Sequence, residues 1–340
     1  MNLAISLKKF FKMKRIVGIG NALVDVMTLI DSDNILGKFS LPKGSMQLVD
    51  AEKSALIKSE TINFKRNLAS GGSAANTIHG LAMLGLKSGF IGSIGKDDIG
   101  DFFENDMKMA GVKTFLTRRN SITGTAVALI SKDSERTFAT HLGAAVELSA
   151  EDLHPHYFKE YDILYMEGYL ILNKPLVERA CIIAKENNMK IALDLASYNV
   201  VESKLQDFQY IVDKYVDIIF ANEEEAKAFT GLSPDEALRV LSGFCDIAVI
   251  KVGSDGSMVK RGNEIIKIGT IPVNCVDTTG AGDLYASGFL YGYSSGLPLE
   301  ECGRFGSVLA GHVIEIVGAR MDEHRWKKIV KSLKKEIDNV

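Results

Sequence analysis

No C-x-x-C pair and no metal-ligand spacing links the four cysteines of this chain, Cys181, Cys245, Cys275 and Cys302. Thiols so few and scattered argue against a disulfide framework and for a reduced, cytoplasmic protein. An excess of charge is missing too: 40 Lys and Arg against 43 Asp and Glu leave a formal net charge of −3. Nucleic acid would therefore meet no overall basic field, and it is not expected as a partner. No apolar run approaches the length of a bilayer span, so no membrane partner is expected. The opening MNLAISLKKFFKMKRIVGIG lacks a clean apolar region and a small-residue cleavage site, which makes it a poor secretion signal. Residues 1–13 read as an N-terminal extension, with an amphipathic membrane-surface segment as the alternative. Translation from Met13 would begin just before the first strand. There is no internal repeat and no low-complexity tract.

With 46% apolar residues, the chain can build a sizeable core. Continuous apolar runs (RIVGIG, SGFIGSIG, DILYME, KIALDL, DIIFAN, IAVIKVG) alternate with segments of helical period, such as ANTIHGLAMLG and PLVERACIIAKENN. That alternation predicts an α/β fold, with a parallel sheet buried on both faces by helices. Two regions break the rhythm, at about 28–50 and 114–141, with short alternating segments and turn residues. TGTAVALISKDSERTFATH reads as a hairpin turning at Lys132, Asp133 and Ser134. Together the two regions would form a small β lid beside the active face; as ordinary surface hairpins they would not. Near the C-terminus, Trp326, Ile329, Val330, Leu333 and Ile337 share one helical face, which predicts a packed terminal helix with a basic outer side.

Four glycine motifs compete for the chemistry. GIGNAL, at Gly18 to Leu23, begins like a dinucleotide fingerprint but has Leu23 where the third glycine belongs. A nicotinamide enzyme would use Gly18 and Gly20. GSIGKDD resembles a phosphate loop, except that Phe90 replaces its first glycine and Asp97 its Ser or Thr. SGGSAAN places Gly71 and Gly72 before a helix expected to be capped by Ser73, with Asn76 in the first turn. Such a loop lets backbone amides approach a ligand, or it merely needs positive φ angles. In DTTGAGD, Thr278 or Thr279 would cap a helix whose Gly280, Ala281 and Gly282 expose amides to phosphoryl oxygens. Asp283 on that turn is placed to take a proton from a hydroxyl as general base. Read as helix punctuation alone, the cluster would not require so many small residues.

On these residues the chain, from about Lys14 to Arg320, resembles the ribokinase-like (PfkB) carbohydrate and nucleoside kinases, most closely their adenosine-kinase branch. DTTGAGD matches the family's C-terminal signature. GGSAANT with GSIGKDDIGDFF matches its N-terminal one, and ANEEEA its N-x-x-E element. The resemblance implies one ribokinase-like domain over 14–340, ATP-dependent transfer to a primary hydroxyl, and the roles that follow. Asp283 would be the base, and Gly280, Ala281 and Gly282 the anion hole. Asn222 and Glu225 would organise Mg²⁺, mainly through water, with Thr279, Lys251, Gly253 and Gly256 on the nucleotide side. Alone, NEEEA would read as an acidic helix start and Lys251 as a solvated strand end. Asp25 would grip vicinal hydroxyls, with Asn21, Gly71, Gly72 and Asn76 completing the cradle. Arg136 would be a lid cation over the phosphates or an exposed hairpin residue. Tyr169 would stack on a base or pack a strand end. A K⁺ site is implied around Asp277, and lid edges in this family either pair in a homodimer or leave a monomer. Features shared with adenosine kinases favour a nucleoside, adenosine first, over a free sugar. LDLASYNVVE departs from the adenosine-kinase pattern. A catalytically silent nucleotide-binding regulator is the reading from another class.

Overall fold

The computed structural model describes residues 13–133 and 135–339. All but Met13 of the expected extension, and Ser134 of the expected turn, lie outside the described residues. Among the described residues, fourteen strands form two sheets. The larger takes β1 (Ile16–Ile19), β5 (Ser88–Gly95), β6 (Lys113–Arg119), β9 (Ile163–Glu167), β10 (Lys190–Asp194), β11 (Ile218–Asn222), β12 (Ile247–Lys251), β13 (Ser257–Arg261) and β14 (Glu264–Ile268). Its order is β14-β13-β12-β11-β10-β9-β1-β5-β6, parallel from β12 to β6 and antiparallel over the two strands at the other edge.

The apolar runs are continuous because these strands bury both faces. Phe90, Tyr165 and Phe220 point into one helical layer, and Ile91, Leu164 and Ile219 into the other. The terminal helix Glu323–Asn339 packs Trp326, Ile329 and Leu333 against the first layer, as its spacing predicts.

The smaller sheet takes β2 (Leu23–Leu29), β3 (Met46–Leu48), β4 (Arg66–Gly71), β7 (Thr123–Ile130) and β8 (Arg136–Gly143), in the order β3-β8-β7-β2-β4. Strands β7 and β8 form the expected antiparallel hairpin. The outline of the lid differs from the expected 28–50 and 114–141. β6 belongs to the large sheet, where its half-exposed edge position gives the same alternating pattern as a lid strand. The lid gains β2 from its first residue, and also β4, whose sequence RNLASG carries no apolar alternation because it is an exposed edge. Underneath, Val26, Phe39, Ile57, Val127 and Leu129 form a core of the lid's own.

Candidate active site

Two helices bring the site together. Ser73–Met83 and Ala281–Ser294 pack side by side with their N-termini at the same end, where unbonded amides favour anions. The close approach rests on small residues: a Cβ at Gly80 would lie 2.5 Å from the Ser287 hydroxyl. Neither helix is capped as the sequence suggests. The N-cap of the first is Gly72, at φ +96°, and a Cβ there would lie 2.1 Å from the Asn21 carbonyl. Ser73 is thereby freed from capping, and its hydroxyl donates to Asp283 Oδ1 at 2.7 Å. Asn76 Nδ2 donates to Asp283 Oδ2 at 2.9 Å. The N-cap of the second helix is Gly280, at φ +77°, not Thr278 or Thr279.

Asp283 is thus half-buried with one donor on each oxygen. Burial raises its pKa to about 6; the Asn76 and Ser73 bonds oppose that rise, Asp194 adds to it and Lys251 opposes it. A carboxylate so placed is ionised at neutral pH yet basic enough to accept a proton. Of the expected anion-hole amides, that of Ala281 donates to the Thr278 carbonyl at 3.1 Å. Those of Gly280, Gly282 and Asp283 have no acceptor among the described residues, so two of the three expected donors are free and Asp283 takes the place of Ala281.

At the carboxyl ends of the parallel strands lies a cavity of about 580 Å³, lined by Asn222, Glu224, Lys251, Gly253, Gly282 and Asp283 among others. Asn222 and Glu225 form a reciprocal capping box. Asn222 Oδ1 accepts from Glu225 N, and Glu225 Oε2 from Asn222 N, both at 2.8 Å. Burial pushes the Glu225 carboxyl up, Lys251 opposes this and Asp194 reinforces it. Lys251 is not a solvated strand end. It is half-buried, with Nζ 2.9 Å from Asp194 Oδ2, and a Cβ on Gly282 would come within 3.1 Å of Nζ. Gly253 lines the cavity, whereas Gly256 faces the Ile268 carbonyl, where a Cβ would lie 2.0 Å away.

A second cavity of about 500 Å³ adjoins the first, with Ser73 and Tyr169 lining both. Its wall is mostly apolar, from Leu23, Met46, Leu142, Leu148 and Leu172, with Asn21 and Gly72 at the polar end. Asp25 borders neither. Its carboxyl lies over Gly71, where a Cβ would meet Oδ1 at 2.4 Å, and it lines a third cavity of about 350 Å³ with Met27, Gly318 and Arg320. Leu23, Asp25 and Met27 succeed one another on one face of β2, so the second and third cavities share that wall.

Arg136 and Asp277 sit together, not apart. Arg136 reaches from the lid to pair with the buried Asp277, and its Nη1 donates to Thr279 Oγ1 at 2.7 Å. Asp277 also accepts from Thr279 N at 2.6 Å and Gly318 N at 2.5 Å. Burial would raise its pKa, but the bonds from Arg136 and the two amides outweigh that and hold it below the usual range. The cation beside Asp277 in this structure is the Arg136 guanidinium.

Sequence reading missed Glu167, Asp194 and Arg320. Glu167 is buried and accepts from Asn21 N (3.0 Å), Asn21 Nδ2 (2.6 Å) and Ala74 N (2.8 Å), tying the corner after the first strand to the helix Ser73–Met83, whose Ser73 and Asn76 bond Asp283. Its burial raises its pKa to about 7. The available signal for Glu167 and Asp194 was an acid closing an apolar strand, in YME and ALD. The competing glycine motifs have packing explanations. A Cβ on Gly18 would strike Ile78, one on Gly20 would strike Glu167, and Asp97 caps the helix Asp98–Met109.

The sequence model of the pfkB family of carbohydrate kinases matches residues 45–325. The chain belongs to that family. As a pfkB kinase it transfers phosphate from ATP to an alcohol group. Its fold is similar to that of a probable sugar kinase from Rhizobium etli CFN 42, with TM-score 0.85 and 33% identity over 94% of this chain and 98% of that one. It is equally similar to the adenosine kinase from Sinorhizobium meliloti, with TM-score 0.84 and 34% identity over 94% of this chain and 100% of that one. Among curated relatives, a 5-dehydro-2-deoxygluconokinase of Clostridium perfringens is 31% identical over 297 residues, covering 82% of this chain and 87% of its own.

Proposed function

We propose that this pfkB kinase phosphorylates the primary hydroxyl of a nucleoside, adenosine first. The observation that carries the reading is the second cavity: about 500 Å³, walled by leucines and Met46, with Tyr169 at the junction with the catalytic cavity. A purine is flat and apolar on its faces and suits such a wall, whereas a small sugar acid would leave it unfilled. Asp283 takes the proton of the acceptor hydroxyl, and the Ser73 and Asn76 bonds fix which lone pairs remain to receive it. The free amides of Gly280, Gly282 and Asp283, with Lys251 Nζ above Gly282, face the charge that develops on the transferred group. Asn222, Glu223, Glu224 and Glu225 offer hard oxygen donors on the nucleotide side, which fits magnesium held largely through water. When bound, that ion supplies charge neutralisation to the phosphates.

The names of the sugar-kinase relatives support a second reading, a free sugar or sugar acid as acceptor. ADP release with Mg-ATP across a panel of nucleosides, sugars and sugar acids decides between them. The expected result is turnover on adenosine well above that on ribose, fructose or 5-dehydro-2-deoxygluconate. The Tyr169→Ala variant should lose more on adenosine than on ribose. Equal loss on both would remove the stacking role, and preferred turnover on a sugar would overturn the nucleoside reading.

A further inference from the structure

Ala196 holds a backbone conformation that alanine rarely adopts, and it does so where the first and second cavities meet. Its φ is +64°. Ala196 lines the first cavity and Ser197 the second. Among the described residues other than glycine, only Ser40 and Asn188 share a positive φ, and each stands one residue past the C-cap of a helix, where that is ordinary. Ala196 follows a strand instead. It is the centre of a three-residue turn in which Ser197 N donates to the Leu195 carbonyl at 2.8 Å, the rarer and strained form of the γ-turn. Such strain persists only where the surroundings impose it, and it gathers where a function needs fixed geometry.

Three neighbours impose it. The Leu195 amide donates to the Phe220 carbonyl at 3.0 Å, which carries the sheet past the end of β10. The Leu195 carbonyl is pressed against Gly168, where a Cβ would lie 2.3 Å from it. Asp194 Oδ1 accepts from the Ala196 amide at 3.0 Å. This last bond ties one oxygen of Asp194 to its own turn and so fixes where the other points. Lys251 Nζ meets that other oxygen, Oδ2, at 2.9 Å.

The meeting crosses the sheet. Asp194 ends β10 and Lys251 ends β12, with β11 between them, so the two side chains bridge two strand spacings, about 10 Å. Lys251 is attracted by Glu225 and Asp283 as well, and its flexible four-carbon stem does not choose among three carboxylates. Glu225 spends both oxygens on Asn222. The choice is therefore between Asp194 and Asp283. Paired with Asp283, the ammonium would occupy the lone pairs that must receive the acceptor proton. Held by Asp194, it stands over the anion turn, 3.1 Å from the place of a Cβ on Gly282.

We propose that Asp194 is a positioning residue for phosphoryl transfer, locked by the strained turn at Ala196 so that Lys251 stays over the anion turn and off the base. The inference deepens the proposed function and rests on Lys251 facing the transferred group. In that step the acceptor oxygen bonds to phosphorus as the bond from phosphorus to ADP breaks, and the hydroxyl proton passes to Asp283. Lys251 keeps its proton throughout and contributes only its charge. Asp194 acts by where it holds that charge.

The test is a double-variant cycle on kcat, read by ADP release with adenosine as acceptor. Lys251→Met should lower kcat by roughly 10²–10³-fold, the usual loss for one donor at a developing charge. Asp194→Asn should lower kcat by roughly tenfold with smaller changes in the KM of ATP and of acceptor. Because Asp194 acts through Lys251, the double variant should be slower than Lys251→Met by less than about twofold. Losses that multiply would make Asp194 a general support of the fold and overturn the proposal. Normal kcat in Lys251→Met is a separate failure, which removes Lys251 from the transfer and the proposal with it. Ala196→Gly tests the lock. Glycine takes the same φ without strain but loosens the turn, so the melting temperature should stay nearly unchanged while kcat falls by roughly threefold or more. Unchanged kcat in this variant overturns the lock. Should Asp194→Asn fail to fold by its thermal unfolding curve, Asp194→Glu keeps the charge but displaces the carboxylate, and the same lack of multiplication with Lys251→Met is expected. If adenosine is not phosphorylated, the nucleoside reading falls by itself, and the cycle is read on the acceptor of the panel that is.

Discussion

Arg136 of the lid hairpin is ion-paired with Asp277, the buried acid that opens the turn carrying the catalytic helix. The two residues lie 141 positions apart in the chain. Through Thr279 the same guanidinium touches the residue before Gly280, so the position of the lid and the shape of the anion turn are coupled.

Removing Arg136 should therefore do more than trim a surface charge. Arg136→Gln leaves the buried Asp277 carboxylate with the Thr279 and Gly318 amides but no countercharge, a loss of up to about 3–5 kcal/mol for breaking a buried pair from one side. Pairing it with Asp277→Asn should restore part of the stability, giving a double variant less destabilised than the sum of the two singles. Thermal unfolding of the four proteins checks the coupling; strict additivity would show that the pair contributes nothing.

Asp283 governs the pH dependence of turnover. Its proton-accepting form dominates above about pH 6, so kcat/KM should fall about tenfold per unit below that value and level off above it. Asp283→Asn should lower kcat by roughly 10²–10⁴-fold with the fold retained. Near-normal phosphorylation by this variant would remove Asp283 from the base role.

Gly280 and Gly282 should respond differently to alanine. At Gly280, with φ +77°, a new Cβ lies 2.6 Å from Ala319 Cβ, so Gly280→Ala should destabilise the protein by about 1–3 kcal/mol. Gly282 has no unusual φ, and its new Cβ meets only the end of Lys251 at 3.1 Å. Gly282→Ala should leave the melting temperature nearly unchanged while lowering kcat, because the methyl group stands over the amide that faces phosphate. A large stability loss with normal kcat would reverse the assignment.

Glu167→Gln tests the support beneath the acceptor loop. Glutamine keeps one acceptor oxygen where three N–H groups converge and turns an N–H toward one of them. An unsatisfied buried donor disfavours the fold by about 1–3 kcal/mol, and acceptor KM should rise through displaced Asn21 and Asn76. Unfolding curves and acceptor titration read the two effects separately.

Asp25 predicts a trade between stability and binding. Burial raises its pKa to about 6, with Arg320 opposing and Asp283 reinforcing the shift. A carboxylate raised in the folded state gives its full stabilising contribution below the unfolded value of 3.8 and loses it as pH rises through about 6. The ligand-free protein should thus be more stable at pH 5 than at pH 7 on account of this group. Asp25→Asn should abolish that part of the slope, on the order of 1–3 kcal/mol, while weakening the acceptor. An unchanged slope would show that Asp25 is not destabilised by burial.

The large sheet was legible because strands buried on both faces have to be continuous apolar runs, and each such run in the sequence became a strand. The lid was legible only in part. β4 is an exposed edge and β3 is three residues of exposed side chain, so neither carries a pattern, while β6 carries a lid-like pattern at the edge of the wrong sheet. Within the site, DTTGAGD marked Asp283 and its amide turn because small residues and an acid on one helical turn have few other uses. It misplaced the cap, since the side chains of Ser73 and Thr279 are recruited by partners more than a hundred residues away.

By itself the sequence determined the fold class, the two helix starts that face each other and the acid between them, all of which depend on spacing within a few residues. Only the tertiary structure decided the electrostatics. Lys251 against Asp194 and Arg136 against Asp277 are meetings of distant residues, and each partner alone reads as an ordinary surface charge. Burial turns those charges into specific interactions, and burial is a property of the assembled sheets and helices that no local stretch of sequence contains.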